Sequence, residues 1–202
     1  MAATKILDTI SGPQDLHGLS FAQLEALARE LREVIMDVVS KNGGHLASNL
    51  GVVELTLALH RVFRSPHDKI IWDVGHQCYA HKLITGRKNR FHTLRKLGGM
   101  SGFPRREESP HDIVETGHAS TSISVALGLL SGQKITGTDG KVVAIIGDGA
   151  LTGGVALEAL NQAAGCNNDL IVVLNDNKKS IGDNVGAISY YLTSLAATRL
   201  YQ

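Results

Sequence analysis

Two short apolar runs separated by a helical segment constrain the fold more than any other feature of the chain. The first run, KVVAIIG, spans 141–147 and leads into the turn GDG, and the second, NDLIVVLND, spans 168–176. The residues between them, 150–165, have the composition and spacing of a helix. A strand, a helix and a strand in this order form a βαβ unit, and strands with no polar alternation are typical of a parallel sheet covered on both faces. We therefore predict an α/β domain with a mostly parallel sheet flanked by helices on both faces.

The rest of the chain supplies further helices and one more strand. Ser20 and Gln23 form a capping box that predicts the start of an amphipathic helix, which Asn42-Gly43-Gly44 should end. We predict a buried helix at 50–63, a strand running into a turn at 69–76, a helix ended by Gly86 at 76–86, a long loop near a site at 88–115 and a helix at 117–132. The chain is interpreted as one domain, 1–202, with an amino-terminal helical segment at 1–42 and a core at 43–189.

Charge and apolar composition exclude several classes of protein. The chain has 20 Lys and Arg against 19 Asp and Glu, so no overall field favours nucleic acid or an anionic membrane. Its apolar runs are far shorter than the roughly 20 residues that a membrane-spanning helix needs. Cys78 and Cys166 stand alone, with no CxxC pattern, and are interpreted as buried packing residues. We expect a cytoplasmic protein in a reducing compartment.

The GDG turn has three possible interpretations. Gly147, Gly149 and Gly153 resemble a dinucleotide-binding turn, but the six-residue form of that motif needs glycine where Thr152 stands, and an acid would face the pyrophosphate. The turn could instead serve only close strand-to-helix packing, with Asp148 capping the next helix. Under the third interpretation, which we favour, Asp148 holds a cation that in turn holds a diphosphate.

A second polar residue supports the cation interpretation. Asn177 lies 29 positions after Asp148, which is enough for a helix and a second parallel strand. Both side chains are therefore expected at the carboxyl edge of the sheet, where open α/β sheets bind ligands. Carboxylate and amide oxygens are hard ligands suited to Mg²⁺, and diphosphate oxygens complete such a site.

Six sequence stretches together resemble the amino-terminal, diphosphate-binding domain of the 1-deoxy-D-xylulose-5-phosphate synthases, which are transketolase-like enzymes. These stretches are GGHLASNLGVVELTLALHRVF, DKIIWDVGHQCYAHKLITGR, SGFPRREES, GHASTSIS, GDGALTGG and NDNKKSIGDNVGAIS. The resemblance implies a thiamine diphosphate- and Mg²⁺-dependent condensation of pyruvate with glyceraldehyde 3-phosphate that releases CO₂. It also implies a place in isoprenoid precursor synthesis by the non-mevalonate route, with a product that feeds thiamine synthesis.

The same resemblance implies roles for individual residues. Asp148, Asn177 and the backbone carbonyl of Lys179 would bind Mg²⁺; Gly149, Ala150 and Asn177 would contact the diphosphate; His76, Gly117, His118 and Ala119 would line the cofactor; and His45 and His76 would be the catalytic residues, with His45 facing the reacting carbons. The family often has methionine where Leu151 and Lys179 stand. A main-chain carbonyl ligand survives that change of side chain.

The resemblance also implies partners outside these 202 residues. Enzymes of the family activate the cofactor with a glutamate from a second domain, so we expect a homodimeric or multi-chain assembly, and we expect the isolated chain to bind the cofactor weakly without turnover. Two alternatives stay open: the amino-terminal subunit of a split transketolase, and a non-catalytic domain that keeps only the fold. Arg105 and Arg106 are followed by Glu107 and Glu108, which indicates a solvated loop rather than an anion site. Five other histidines are interpreted as structural or solvated: His17, His60, His67, His92 and His111.

Overall fold

The computed structural model describes residues 5–165, 169–176, 186–187, 190–191 and 194. The helices are, in chain order, α1 (Ile6–Thr9), α2 (Phe21–Asn42), α3 (Leu46–Leu50), α4 (Val53–Val62), α5 (Tyr79–Lys82), α6 (Ser122–Thr136), α7 (Asp148–Leu151) and α8 (Gly154–Gly165). Two 3₁₀-helices span Pro13–Gly18 and Lys88–Thr93, and a π-helical turn spans Leu83–Arg87. The strands are β1 (Lys69–Trp72), β2 (Val142–Gly147) and β3 (Leu170–Asn175). Within the described part of the chain, no helix has both the length and the apolar character needed to cross a bilayer.

The three strands form one parallel sheet with β2 in the centre. Lys69 of β1 pairs with Val142, and the same end of β2 pairs with Leu170 of β3. At the other end, Gly147 pairs with Asn175, so β2 and β3 end side by side. This confirms the predicted βαβ unit and places the residues that follow β2 and β3 at one edge of the sheet.

Alternate side chains of β2 enter two separate hydrophobic cores. Val143 and Ile145 pack in the core formed with α2, α4 and α5, whereas Ala144 and Ile146 pack in the core formed with α6 and α8. Strand side chains point to opposite faces in turn, so a strand that is apolar at every position must be covered on both sides. The predicted fold class, a parallel sheet flanked by helices on both faces, is confirmed.

Helix α2 begins and ends where its capping residues predict. The Ser20 hydroxyl accepts the backbone N–H of Gln23, and the Gln23 side chain accepts the backbone N–H of Ser20. Gly43 follows Asn42 with a φ of 74°, a left-handed value that favours glycine. These local signals set the helix ends independently of the tertiary structure.

Four predicted helices have different bounds in the structure. Those predicted at 50–63 and 76–86 are the shorter helices α4 and α5, and α5 leads into the π-helical turn that contains Gly86. The other two differ as follows. The helix expected at 117–132 begins at Ser122, because the buried carboxylate of Asp73 accepts the backbone N–H groups of Ser120 and Ser122 at 2.8 and 2.9 Å. The helix expected at 150–165 is two helices, with a break at Thr152 and Gly153. Both departures arise from contacts between segments that are distant in the sequence.

The segment predicted as a loop, 88–115, starts with a 3₁₀-helix and is then irregular, and buried charges tie it to the core. We call these charges the buried ionic cluster: Lys82, Arg87, Glu108 and Asp112. Arg87 donates to both carboxylate oxygens of Asp112 at 2.6 and 2.9 Å, and Lys82 donates to Glu108 at 2.6 Å. The cluster attaches the middle of the loop to the residues that follow α5.

Candidate functional site

A cavity of about 770 Å³ lies at the carboxyl edge of the sheet. Its lining comes from residues within 45–48, 73–77, 119–120 and 147–153, and from Asn175. These segments lie at the ends of β1, β2 and β3 or precede α4 and α6. The carboxyl end of every strand in the sheet therefore lies at the cavity. The volume falls in the range of roughly 300–1,000 Å³ that is usual for small-molecule sites.

Asp148 stands at the first position of α7, directly after the central strand, and its side chain is buried. Burial raises the pKa of this carboxyl group, and a hydrogen bond with Asp176 raises it further. Asp176 directly follows β3, so two acidic side chains meet at the ends of neighbouring strands. A bound cation would stabilise both in their charged forms.

The end of β3 forms the other side of this edge. Asn175 lines the cavity, and its side-chain amide donates to the side-chain oxygen Oε1 of Gln77 at 3.5 Å. The predicted ligands Asn177 and Lys179 lie outside the described residues, so their metal-binding roles stay predictions. Among the residues that are described, no three His, Cys, Asp or Glu side chains converge as a metal site.

The two predicted catalytic histidines lie side by side at the cavity. The ring centroids of His45 and His76 are 5.2 Å apart, with an angle of 73° between the ring planes. Burial lowers the pKa of His76, and the neighbouring His45 lowers it further. Nδ1 of His76 is buried and has no hydrogen-bond partner in the described part of the chain. A neutral imidazole facing a cavity can exchange protons or hydrogen-bond with substrate oxygens.

The turn after β1 holds His76 in place through an unusual backbone. Val74 has a φ of 60°, and Gly75 donates its N–H to the Asp73 carbonyl at 2.6 Å. A left-handed φ is rare and strained for a β-branched residue, and such strain concentrates at functional sites. A Cβ at Gly75 would lie 2.5 Å from Cδ of Pro104, so only glycine fits beneath that loop.

The family model described as 1-deoxy-D-xylulose-5-phosphate synthase matches residues 7–202, which is almost the whole chain. The chain belongs to this synthase family. The protein of that name from Heliobacterium modesticaldum is 64% identical over 98% of this chain, and the one from Treponema pallidum (strain Nichols) is 60% identical over 98%. 1-Deoxy-D-xylulose-5-phosphate synthase 2 of Geobacter sulfurreducens is 63% identical over 94%.

The match covers only the first part of these synthases. The chain spans 31% of the length of the Heliobacterium relative and 30% of the Geobacter one. The synthases of this family are thiamine diphosphate-dependent transferases, and the family assignment agrees with the resemblance drawn from the six motifs. The family assignment gives no support to the interpretation of GDG as a dinucleotide-binding turn.

The structure brings most of the residues predicted for a synthase site to one cavity. His45, His76, Ala119, Asp148, Gly149 and Ala150 all line it. Gly117 and His118 do not; both are exposed and lie just before Ala119 in the chain. Their assignment as cofactor-lining residues stays a prediction, as do the roles of the other residues.

Two residues that the sequence did not single out, Ser120 and Asn49, hold the backbone around this cavity. Ser120 has a φ of 72°, its N–H is bound by Asp73, and its hydroxyl donates to the Ala150 carbonyl at 2.7 Å. A Cβ at Gly153 would overlap that hydroxyl, so only glycine fits at the break between α7 and α8. Asn49 donates to the backbone carbonyls of both predicted catalytic histidines. The contacts of Ser120 and the contact between Asn49 and His76 join segments 27 or more positions apart, so no local pattern could have revealed them.

Proposed function

We propose that this chain forms the Mg²⁺- and diphosphate-binding part of a 1-deoxy-D-xylulose-5-phosphate synthase, which condenses pyruvate with glyceraldehyde 3-phosphate and releases CO₂. The observation that carries the proposal is the buried carboxylate of Asp148 at the carboxyl end of the central strand, on the wall of the cavity at that edge of the sheet. Family membership supports synthase chemistry over ketol transfer by a split transketolase.

The donor set at the edge of the sheet fits a small divalent cation. Asp148 supplies a carboxylate oxygen, and Asp176 adds negative charge beside it. Asn177 directly follows Asp176 in the chain, and we assign its amide oxygen and the Lys179 carbonyl to the same cation. Mg²⁺ accepts such oxygen ligands and keeps positions for phosphate oxygens. The cation would therefore neutralise the acidic edge and attract the diphosphate to it.

The turn after β2 suits close approach by a phosphate group. Gly149 and Ala150 line the cavity with small side chains or none, which exposes their backbone to a ligand. The Ser120 hydroxyl, which also lines the cavity, donates to the Ala150 carbonyl and so holds this turn in place. We assign Gly149 and Ala150 as backbone contacts to the diphosphate, and Gly117, His118 and Ala119 as the segment that lines the rest of the cofactor.

His45 and His76 are suited to the reacting end of the site. When bound, thiamine diphosphate supplies a carbanion that adds to the pyruvate ketone and an electron sink for the loss of CO₂. His76 is held neutral near pH 7, so it can accept a proton or donate through its own N–H. His45 is exposed at the cavity mouth and can hydrogen-bond to the oxygens of an incoming substrate.

The proposed activity requires parts of the protein outside this chain. The relatives are about three times as long, and a glutamate that activates the cofactor is expected from a second domain. We propose that the working enzyme is a cytoplasmic homodimer and that its product serves isoprenoid and thiamine synthesis. The 202 residues alone are expected to bind the cofactor weakly and to form no product.

Calorimetry on the full protein tests the metal site. Thiamine diphosphate should bind only with Mg²⁺ present, and Asp148→Ala should weaken that binding by at least about 100-fold, because the cation loses a charged ligand. Asp37→Ala is the matched control, since it removes an exposed carboxylate paired only with Lys41. Binding that is independent of Mg²⁺, or equal in the two variants, contradicts the proposed site.

Product analysis tests the reaction itself. The full protein should release CO₂ from pyruvate only when glyceraldehyde 3-phosphate accepts the remaining two carbons as a five-carbon sugar phosphate. Ketol transfer between sugar phosphates without CO₂ release would identify a transketolase instead. Cofactor binding with neither reaction would indicate a non-catalytic domain.

A further inference from the structure

Asn49 lies between the two histidines of the cavity and is fully buried, with 0% of its surface exposed. Its amide nitrogen donates to the backbone carbonyl of His45 at 2.6 Å and to that of His76 at 2.8 Å. Its amide oxygen accepts the backbone N–H of Tyr79 at 2.9 Å. One side chain therefore joins the start of α3 to the turn that follows β1.

The orientation of this amide group is fixed by its partners. Two carbonyl oxygens can only accept hydrogen bonds, and a backbone N–H can only donate, so the nitrogen must face His45 and His76 and the oxygen must face Tyr79. Both N–H groups of the Asn49 amide and its oxygen therefore have a hydrogen-bond partner. An amide is the only uncharged side-chain group that offers two such donors and an acceptor in one plane.

Neither histidine is held by regular secondary structure on its own. His45 precedes the five-residue helix α3 with φ −93° and ψ 89°, and His76 follows the strained turn at Val74. Their segments are 31 positions apart in the chain, from His45 to His76. A hydrogen bond from the His45 N–H to the Tyr79 hydroxyl is long, at 3.4 Å. The Asn49 amide makes the two shorter bonds to these backbones.

We propose that Asn49 is a positioning residue, which sets the distance and angle between the His45 and His76 rings over the cavity. This inference rests on the proposed function, because it assigns a purpose to the pair of histidines in that reaction. Without the two donors, two partly buried carbonyl oxygens would lose their partners and the segments would separate. Displacement of catalytic groups by about 1 Å can lower a rate by about 100-fold.

The substitution Asn49→Asp tests the positioning role of Asn49 with little change in side-chain size. Aspartate has nearly the same size and keeps an oxygen for the Tyr79 N–H, but it turns a negative charge toward two carbonyl oxygens. Thr56→Val is the matched control. Thr56 is also 0% exposed, lies seven positions further along the chain, and donates only to the Val52 carbonyl within its own helix. Both variants remove buried hydrogen bonds, but only the first touches the histidines.

Kinetics and hydrogen exchange on the full protein are the measurements. In Asn49→Asp, we expect kcat to fall by roughly 100-fold, while KM for pyruvate and the Kd for thiamine diphosphate change by no more than about threefold. Deuterium uptake should rise in peptides covering 44–50 and 75–80. Thr56→Val should alter neither kcat nor exchange in those peptides.

The dependence of kcat/KM on pH supplies a readout that a purely structural role would not change. The pKa of His76 is lowered by burial and by His45 and raised by Asp73. If the rings separate and water enters, that pKa rises, so the acid limb of the profile should move to higher pH in Asn49→Asp and stay in place in Thr56→Val.

The possible outcomes separate the two hypotheses. If the wild-type protein forms no product, the proposed function fails, and the exchange of 44–50 and 75–80 still decides the role of Asn49. If Asn49→Asp matches Thr56→Val in kcat, pH profile and local exchange, the positioning role is overturned. If Asn49→Asp does not fold, Asn49→Ser is measured in the same way; its single hydroxyl can serve only one carbonyl, so unchanged kcat and exchange would likewise overturn the role.

Discussion

The substitution Asp112→Asn should detach the loop at 101–115 from the rest of the domain. The carboxylate is buried and accepts two hydrogen bonds from Arg87, one from the His81 ring and one from the Arg105 backbone N–H. Burial raises its pKa, but the bonds from His81 and Arg87 outweigh burial and hold the pKa well below its usual range. The carboxylate is therefore charged in the folded protein at any moderate pH.

The loss expected for Asp112→Asn follows from the partners left behind. Removing one side of a buried ion pair costs about 3–5 kcal/mol, because the other charge stays buried without compensation. Here Glu108 remains 3.6 Å from Arg87 and 2.6 Å from Lys82, so part of the positive charge is still balanced. We therefore expect the lower end, about 3 kcal/mol.

Urea denaturation and hydrogen exchange of the full protein measure this effect. Asp37→Asn, at an exposed residue paired with Lys41, is the control and should change the free energy of unfolding by less than about 0.5 kcal/mol. Deuterium uptake should rise first in peptides from 101–115. If Asp112→Asn costs no more than Asp37→Asn, the cluster does not anchor the loop and the reasoning is wrong.

Three further predictions concern single residues. Burial lowers the pKa of His111 to about 4, below its unfolded value of about 6.5. The stabilising effect of the neutral His111 ring is therefore complete above pH 6.5 and is lost as the pH falls toward 4. His111→Gln should reduce the loss of unfolding free energy measured between pH 7 and pH 5. Gly153→Ala should cost roughly 1–3 kcal/mol by overpacking, whereas Gly154→Ala, with nothing within 4 Å of its added Cβ, should be neutral or stabilising in the same melt. Cys78 is fully buried with its pKa raised by burial to about 12, so native protein should leave it unmodified by iodoacetamide at pH 8, and fast labelling would contradict the packing.

Features set by local chemistry could be predicted from the sequence. The apolar runs at 141–147 and 168–176 predicted two strands. The capping box at Ser20 and the glycine with a left-handed φ after Asn42 predicted the two ends of α2, because these signals act between residues close in the sequence. The same logic placed Asp148 at the carboxyl edge, because parallel strands joined by a helix must end on the same side. The family resemblance added His45 and His76, which no spacing rule connects.

Features set by contacts between distant segments could not be predicted in this way. The start of α6 depends on Asp73, 49 positions earlier in the chain than Ser122. The loop at 88–115 has no periodic pattern, and its anchoring depends on how Asp112 meets Arg87 in three dimensions. The contacts of Asn49 could not be predicted for the same reason, because each of its partners is a backbone group and backbone groups carry no sequence signature.

A crystal structure of the full protein with thiamine diphosphate and Mn²⁺ in place of Mg²⁺ tests the central claim most directly. The account predicts one anomalous peak within about 2.5 Å of an Asp148 carboxylate oxygen, bridged to the diphosphate, with Asn177 on the same ion. A metal peak elsewhere, or a diphosphate bound away from the turn at 147–150, would contradict it.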